Sequence, residues 1–130
     1  MPFTEIRTSK IFDSPAPFSM ATVTQSTRLM HISGQVAQDV TGKTVGANNI
    51  EKQTVQVIEN IKTLVDEQGG SLSDICKITI FLTSRDHLAT VMDVRRRYFT
   101  KPYPATSAVI VVGLANPEWM IEIEALAALK

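Results

Sequence analysis

Two glutamates near the end of the chain have the residue type and spacing needed for acid–base chemistry. Glu122 and Glu124 are two positions apart in an alternating apolar segment, so on a strand both carboxylates would project from one face, about 7 Å apart. Paired carboxylates can transfer protons when their surroundings separate their pKa values. The alternative interpretation is an ion pair with Lys77 on the same face. We favour that pairing for Glu124, whereas Glu122 fits either role.

A short polar turn is a second candidate. Ser33, Gly34 and Gln35 close a predicted strand, and a glycine there would let a ligand approach the backbone while the hydroxyl and amide bind it. Ordinary turn chemistry at a strand end is the favoured alternative. His31, two residues earlier, could act as a base, although a structural role is more common for a lone histidine on a strand. Cys76 is interpreted as a small hydrophobe on an apolar strand face.

Three consecutive arginines, Arg95, Arg96 and Arg97, form the most basic part of the chain. Thirteen Lys and Arg balance thirteen Asp and Glu, so the net charge is zero. A nucleic-acid partner is therefore not expected, because such binding depends on an excess of cations that displaces counterions from phosphate. The arginine run is interpreted as a solvated helix face with one arginine folded inward.

Composition predicts one domain covering residues 1–130, since 130 residues divided in two would leave each half too small for its own core. The single cysteine excludes an internal disulfide and fits a reducing compartment. The two histidines, 31 and 87, have no metal-ligand spacing, and the longest apolar run, residues 108–115, is too short for a membrane span. The start of the chain lacks a secretory pattern. We expect a soluble cytoplasmic protein with no metal and no membrane contact.

The hydrophobic pattern then predicts the elements that must position these residues. It predicts strands at residues 4–7, 19–24, 28–33, 75–83, 105–112 and 119–128, helices at 50–68 and 86–100, a hairpin turn at 25–27 and a long loop at 34–49. Two helices cannot cover both faces of such a sheet, which predicts an α+β fold with both helices on one face. The opposite face mixes apolar residues with carboxylates, hydroxyls and a lysine. That mixture is typical of a subunit interface and predicts an oligomer.

Several segments in the same order resemble the RidA/YjgF family of reactive-intermediate deaminases, and they extend over nearly the whole chain. The segments are SGQ at 33–35, QT at 53–54 with Asn60, DICKITIF at 74–81, YF at 98–99, YPA at 103–105 and EIEA at 122–125. The resemblance implies a chorismate-mutase-like α+β fold, with a mixed sheet and two helices on one face. It also implies a homotrimer whose sheets face inward and whose small-molecule clefts lie between subunits.

The resemblance further implies an activity. Typical members hydrolyse the short-lived enamines and imines released by pyridoxal-phosphate enzymes, giving 2-keto acids and ammonia without a cofactor. An arginine directly after the Pro–Ala pair grips the substrate carboxylate, and the first glutamate of Glu-Ile-Glu, here Glu122, positions the attacking water. The resemblance therefore assigns Glu122 to catalysis. It assigns seven positions to substrate binding: Phe18, Ser33, Gly34, Gln35, Met92, Thr106 and Ala108.

This chain departs from the family pattern at the position of that arginine. Thr106 follows the Pro–Ala pair, and a hydroxyl does not replace a bidentate cation; such a loss costs roughly 1.5–3 kcal/mol or more. Phe18, Met92 and Ala108 replace a tyrosine, an asparagine and a cysteine that are common in the family. We therefore expect weak activity on the standard 2-imino acids, unless Arg28 or one of the three arginines at 95–97 supplies a cation.

Three functions compete at this point. The favoured one is a deaminase or hydrolase that uses Glu122 on an enamine, an imine or a related metabolite in a more apolar pocket. The second is a non-catalytic trimer that binds a small ligand or a protein. The third, an endoribonuclease as attributed to some relatives, is disfavoured by the balanced charge and by the lack of a basic, aromatic-rich face.

Overall fold

Six strands and two α-helices form the regular part of the chain in the computed structural model, which describes residues 2–25 and 27–130. In chain order they are β1 (Phe3–Ile6), β2 (Ala21–Thr24), β3 (Arg28–Gln35), α1 (Ile50–Glu67), β4 (Ile75–Leu82), α2 (Leu88–Tyr98), β5 (Ala105–Ile110) and β6 (Ile121–Leu129). Short 3₁₀ turns precede β4 and α2.

Four strands form a mixed sheet in the order β3–β6–β4–β5. The β4 and β5 strands are parallel, whereas β6 is antiparallel to both of its neighbours. Both helices contribute to a single core against one face of this sheet, as predicted from the presence of only two helices. Its fully buried side chains include Ile58, Ile61, Ile78, Ile80, Leu82, Val91, Val94, Ile121 and Ile123. The α+β prediction is confirmed.

The first helix follows its sequence signals closely. Asn49 caps its start by accepting a hydrogen bond from the backbone N–H of Lys52 at 2.9 Å. Beyond its end, Gly69 has φ +79°, a conformation that glycine adopts without strain. The second helix is shorter than predicted because residues 85–87 form a 3₁₀ turn. No helix in residues 2–25 and 27–130 has the length and apolar character needed to cross a bilayer.

The predicted hairpin between the second and third strands is wrong. Within the described residues β2 pairs with β1 in a separate two-stranded sheet, and β3 pairs with β6 at the edge of the main sheet. Of the predicted turn at residues 25–27, Ser26 lies outside the described residues. The chain here changes sheets, and turn propensity does not reveal such a change, because the turn residues suit either arrangement.

Cys76 is buried among apolar side chains, as interpreted from the sequence, but the alternation along β4 would place it on the same face as Ile78, Ile80 and Leu82, and that placement is wrong. The pairing of β4 with β6 shifts between Ile75 and Lys77, and this bulge breaks the simple alternation. Ile75 packs in the core under the helices, whereas Cys76 packs on the other side with Phe3 and Ala128. The β1–β2 hairpin covers that patch, and the burial raises the pKa of the Cys76 thiol.

One buried amide connects α1 to the strand that carries Glu122. Gln53 is fully buried, and its side-chain nitrogen donates to the carbonyls of Gly46 and Glu118 at 3.1 and 2.8 Å. Its side-chain oxygen accepts from the backbone N–H of Met120 at 2.9 Å. Gln53 therefore fixes the segment that leads into β6, one residue before the strand begins.

We expect Gln53→Leu to lower the free energy of unfolding by about 3 kcal/mol, because it removes the side-chain partner of three backbone groups, at about 1 kcal/mol for each hydrogen bond. Gln56→Leu is the matched control on the same helix: Gln56 is half-buried and donates only to Asn60, so its loss should cost about 1 kcal/mol. Urea unfolding of both variants measures the difference. Equal losses would contradict the role of Gln53.

Candidate functional site

Glu122 lies on the sheet face that the helices leave open. It follows the buried Ile121 on β6, so its side chain projects away from the helical core. The side chain is half-buried and lies directly against Gly34 of β3. A methyl group at Gly34 would come within 2.1 Å of Glu122 Oε2 and 2.9 Å of its Cγ. Only glycine gives the carboxylate this position.

A bulge in β3 produces this close approach. Ile32 pairs with Ala125 and Gln35 pairs with Ile123, so β3 has one residue more than β6 in this stretch. The extra length falls at Ser33 and Gly34, which the sequence predicted as the end of the strand. The strand instead continues to Gln35, whose side-chain nitrogen donates to the carbonyl of Ser33 at 3.0 Å. The structure thus brings the predicted polar turn and Glu122 together.

The predicted ion pair between Lys77 and Glu124 is wrong for the single chain. The Lys77 ammonium donates to the Ser107 hydroxyl at 3.3 Å, and it forms no salt bridge with Glu122 or Glu124 among the described residues. Lys77 and Glu124 instead line a shared depression of about 290 Å³ on the open face, together with His31. The side-chain carboxylate of Glu122 has no hydrogen bond or ion pair within residues 2–25 and 27–130, so it is available to water.

The remaining predicted site residues lie elsewhere, around α2 and β5. Thr106 pairs with Ile78 in the parallel ladder, and parallel partners project to the same face, so Thr106 and Ala108 are on the helical side. Met92 and Arg95 are three residues apart on α2 and therefore share one side of that helix. We call Phe18, Met92, Arg95, Thr106 and Ala108 the α2–β5 cluster.

A pair of backbone contacts brings Phe18 into this cluster. The N–H of Ser19 donates to the carbonyl of Pro104 at 3.2 Å, and the Ser19 hydroxyl donates to the carbonyl of Tyr103. Ser19 is fully buried. These bonds hold the segment that contains Pro17 and Phe18 beside the start of β5.

Arg95 supplies a guanidinium beside Thr106. Its Nη2 donates to Thr106 Oγ1 and to the carbonyl of Pro17, both at 3.0 Å, and Thr106 in turn donates to the carbonyl of Pro104 at 3.1 Å. The sequence had left Arg28 and the three helix arginines as alternatives for a cation. Arg28 instead donates to the carbonyl of Lys130, so the arginine that folds inward at Thr106 is Arg95.

The other two arginines of the run lie on the solvent side, as predicted for a solvated face. Arg97 forms a salt bridge with Glu51 at 3.0 Å, and Arg96 approaches Asp93 at 3.7 Å. All four of these side chains are more than half exposed, so such pairs contribute little to stability.

Arg95 is buried without a counter-charge. Only 5% of the residue is exposed, its Nε has no partner, and no carboxylate in residues 2–25 and 27–130 lies within salt-bridge distance. Burial, together with the neighbouring Arg96, lowers the pKa of Arg95 to about 10. The side chain therefore remains a cation at pH 7.

The two groups of predicted site residues are far apart in one chain. Glu122 pairs with Phe81, which pairs with Val109, and Val109 is three residues beyond Thr106. Two strand spacings and three residue rises separate the backbones of Glu122 and Thr106 by about 14 Å. Their side chains also project from opposite faces of the sheet. A small substrate cannot touch both within one copy of the chain.

Metal chemistry has no ligand set in the part of the chain that the structure describes. No three side chains from His, Cys, Asp and Glu come together in residues 2–25 and 27–130 in a way that could hold an ion. The arrangement that remains is a free carboxylate beside a bulged strand on one face and a buried guanidinium on the other. Such a pair of sites suits proton transfer to or from water and binding of an anion.

Comparison with known proteins gives consistent matches along the chain. Residues 8–129 match the family described as endoribonuclease L-PSP. A RutC family protein of Pyrococcus abyssi is 33% identical over 120 residues, covering 90% of this chain and 94% of that protein. A 2-iminobutanoate/2-iminopropanoate deaminase of Dermatophagoides farinae is 28% identical, covering 88% and 87%. The crystal structure of YyfB from Yersinia pestis, a Rid-family protein of unknown function, has 33% identity and a TM-score of 0.92, covering 99% and 100%.

We expect Gly34→Ala to push the Glu122 carboxylate out of its position and to lower the free energy of unfolding by about 1–2 kcal/mol through overpacking. The added methyl group collides with Glu122 alone among its nearest neighbours, so in a Glu122→Ala background the same substitution should cost much less. Urea unfolding of the two single variants and the double variant measures this coupling.

Gly113→Ala is the control, because a methyl group there meets no atom within 4 Å. Equal costs for Gly34→Ala in both backgrounds would contradict the contact between Gly34 and Glu122.

Proposed function

The chain belongs to the endoribonuclease L-PSP family, also known as the RidA/YjgF family, and from that premise we propose that it hydrolyses small imines or enamines to carbonyl compounds and ammonia. The observation that carries the proposal is the Glu122 carboxylate, which is held against Gly34 and has no partner within residues 2–25 and 27–130. A deaminase of 2-iminobutanoate and 2-iminopropanoate among the relatives supports this reaction class.

The proposed role of Glu122 is that of a general base. A water molecule donates a hydrogen bond to the carboxylate and attacks the imine carbon, and its proton passes through Glu122 to the nitrogen. The product is a carbinolamine. Its C–N bond then breaks as the carbonyl forms, and ammonia leaves with the second proton. Water and imine therefore give one carbonyl compound and one ammonia, and no cofactor enters the balance.

The proposed site lies between subunits of a cytoplasmic homotrimer. Glu122 and the α2–β5 cluster are on opposite faces of one sheet, and the backbones of Glu122 and Thr106 are about 14 Å apart. A second copy therefore has to bring one group to the other. The open face also supports an assembly, because apolar Leu126 and Phe81 are interspersed there with Lys77 and Glu124. Such a mixed surface is typical of an interface rather than of a solvated face.

Ribonuclease activity, which the family description names, is the weaker candidate. The chain has zero net charge, and of its basic helix run Arg95 is buried while Arg96 and Arg97 face acidic side chains. Phosphate binding by counterion release requires exposed, uncommitted cations.

We expect the purified chain to sediment as a species close to three times its mass of 14.3 kDa, because the open sheet face and both halves of the site need neighbouring copies. Sedimentation equilibrium in moderate salt measures this. A folded single chain at micromolar concentration would contradict the inter-subunit site.

We expect Glu122→Gln to slow imine hydrolysis about 10²–10⁴-fold, because the amide cannot accept the proton of the attacking water. The assay supplies 2-iminobutanoate from a threonine dehydratase and, separately, an uncharged imine from a flavin amine oxidase acting on a primary alkylamine. Trapping the remaining imine with semicarbazide gives the rate of carbonyl release in each case.

Glu124→Gln is the matched control, since Glu124 lies two residues along the same strand and on the same face as Glu122. We expect it to retain most of the rate. A wild-type protein that accelerates neither imine, but still binds a small ligand, would support the non-catalytic alternative.

A further inference from the structure

The buried guanidinium of Arg95 has no counter-charge among the described residues of its own chain. Nη2 is committed to Thr106 and to the carbonyl of Pro17, both neutral acceptors. Nε is buried with no partner, and Nη1 donates to no atom within residues 2–25 and 27–130. An arginine that is 95% buried is thus left with donors that nothing in the described chain satisfies.

Such an arrangement is unfavourable in the absence of an anion. Burying a charge is costly unless it is paired and hydrogen-bonded, and a buried donor without an acceptor adds to that cost. The positive charge of the next residue, Arg96, adds to the cost of burying the Arg95 charge. Asp93 compensates Arg96 only weakly, because the two side chains are exposed and 3.7 Å apart. An anion bound at Arg95 would remove both penalties. Strongly perturbed, uncompensated groups of this kind cluster at functional sites.

We propose that Arg95 is the anion-binding residue of this protein and that it holds the carboxylate of the substrate beside Thr106. A guanidinium fits a carboxylate better than it fits other small anions, because its planar donors match the two oxygens. Thr106 is then a positioning residue: it accepts from Nη2, donates to Pro104, and so holds the guanidinium in one orientation.

The inference deepens the proposed function and rests on it, because it names the charged group of the imine. Phe18 follows Pro17, whose carbonyl accepts from Arg95, and Met92 is three residues before Arg95 on α2. Both side chains are half-buried and would contact an apolar substituent. The imine that this site favours therefore carries a carboxylate. This reverses the expectation from Thr106 alone, since the missing positive charge on β5 is supplied from α2.

The test measures binding without turnover. The probe is 2-oxobutanoate, the keto acid that such an imine would yield, and 2-butanone is the probe of similar size without the charge. We expect Arg95→Met to weaken 2-oxobutanoate binding by about tenfold to a hundredfold, the value of a charge-assisted contact, and to leave 2-butanone binding unchanged. Isothermal titration calorimetry measures both.

Two further variants separate an anion-binding role from a structural one. Arg96→Met is the control, because Arg96 is the exposed neighbour, and it should bind 2-oxobutanoate like the wild type. Thr106→Arg combined with Arg95→Met moves the guanidinium to the opposite wall of the cluster and should recover at least part of the binding. A structural role for Arg95 predicts no such recovery. If Arg95→Met fails to fold, Arg95→Lys should fold and bind with intermediate affinity.

The outcomes also distinguish this inference from the proposed function. Binding that depends on Arg95, with no imine hydrolysis, would uphold the anion site and reject the catalytic proposal. Hydrolysis that depends on Glu122, with equal 2-oxobutanoate binding by the wild type and Arg95→Met, would uphold the catalytic proposal and reject the anion site. Equal 2-oxobutanoate binding by the wild type and Arg95→Met would overturn the inference. The same result is expected if a carboxylate of the partner copy already neutralises Arg95.

Discussion

Burial of one sheet face under two helices is the constraint on which the rest of this structure depends. Residues of a strand alternate between faces, so once Ile121 and Ile123 are committed to the core, Glu122 must project to the open side. The same rule sends Thr106 to the helical side, beside Ile78. Neither direction is adjustable locally, because reversing one side chain would require shifting its whole strand and exposing the core.

This constraint explains why each half of the candidate site is unsatisfied on its own. Among the residues that the structure describes, a carboxylate without a partner lies on one face and a guanidinium without a counter-charge lies on the other. The net charge of the chain is zero. The two groups cannot neutralise each other within one copy, since the sheet is between them. In the proposed trimer, neighbouring copies would bring the opposite faces together. A small molecule that offers an electrophilic carbon to the carboxylate and an acid group to the guanidinium then complements both halves.

The sequence predicted the features that depend on local pattern. Apolar periodicity, Asn49 and Gly69 defined the first helix to within a residue, and the alternation in β6 gave the direction of Glu122. The features that it missed depend on non-local pairing. The two bulges, near Ser33 and Cys76, arise from register against β6. Gly34 is compatible with the first bulge but equally with a strand end, and no residue type marks the second. Arg95 was one of four candidate cations, because the sequence does not show which arginine of the helix run folds inward; the structure buries Arg95.

The buried cysteine beneath the two-stranded β1–β2 sheet provides a way to measure local opening of this protein. Cys76 is the chain's single cysteine and is 1% exposed. Burial raises the pKa of its thiol above that of an ordinary cysteine. A thiol reagent reaches it when the hairpin lifts from Phe3 and Ala128. The rate of labelling therefore reports how often that hairpin detaches while the main sheet stays folded, a local opening that whole-molecule unfolding does not resolve.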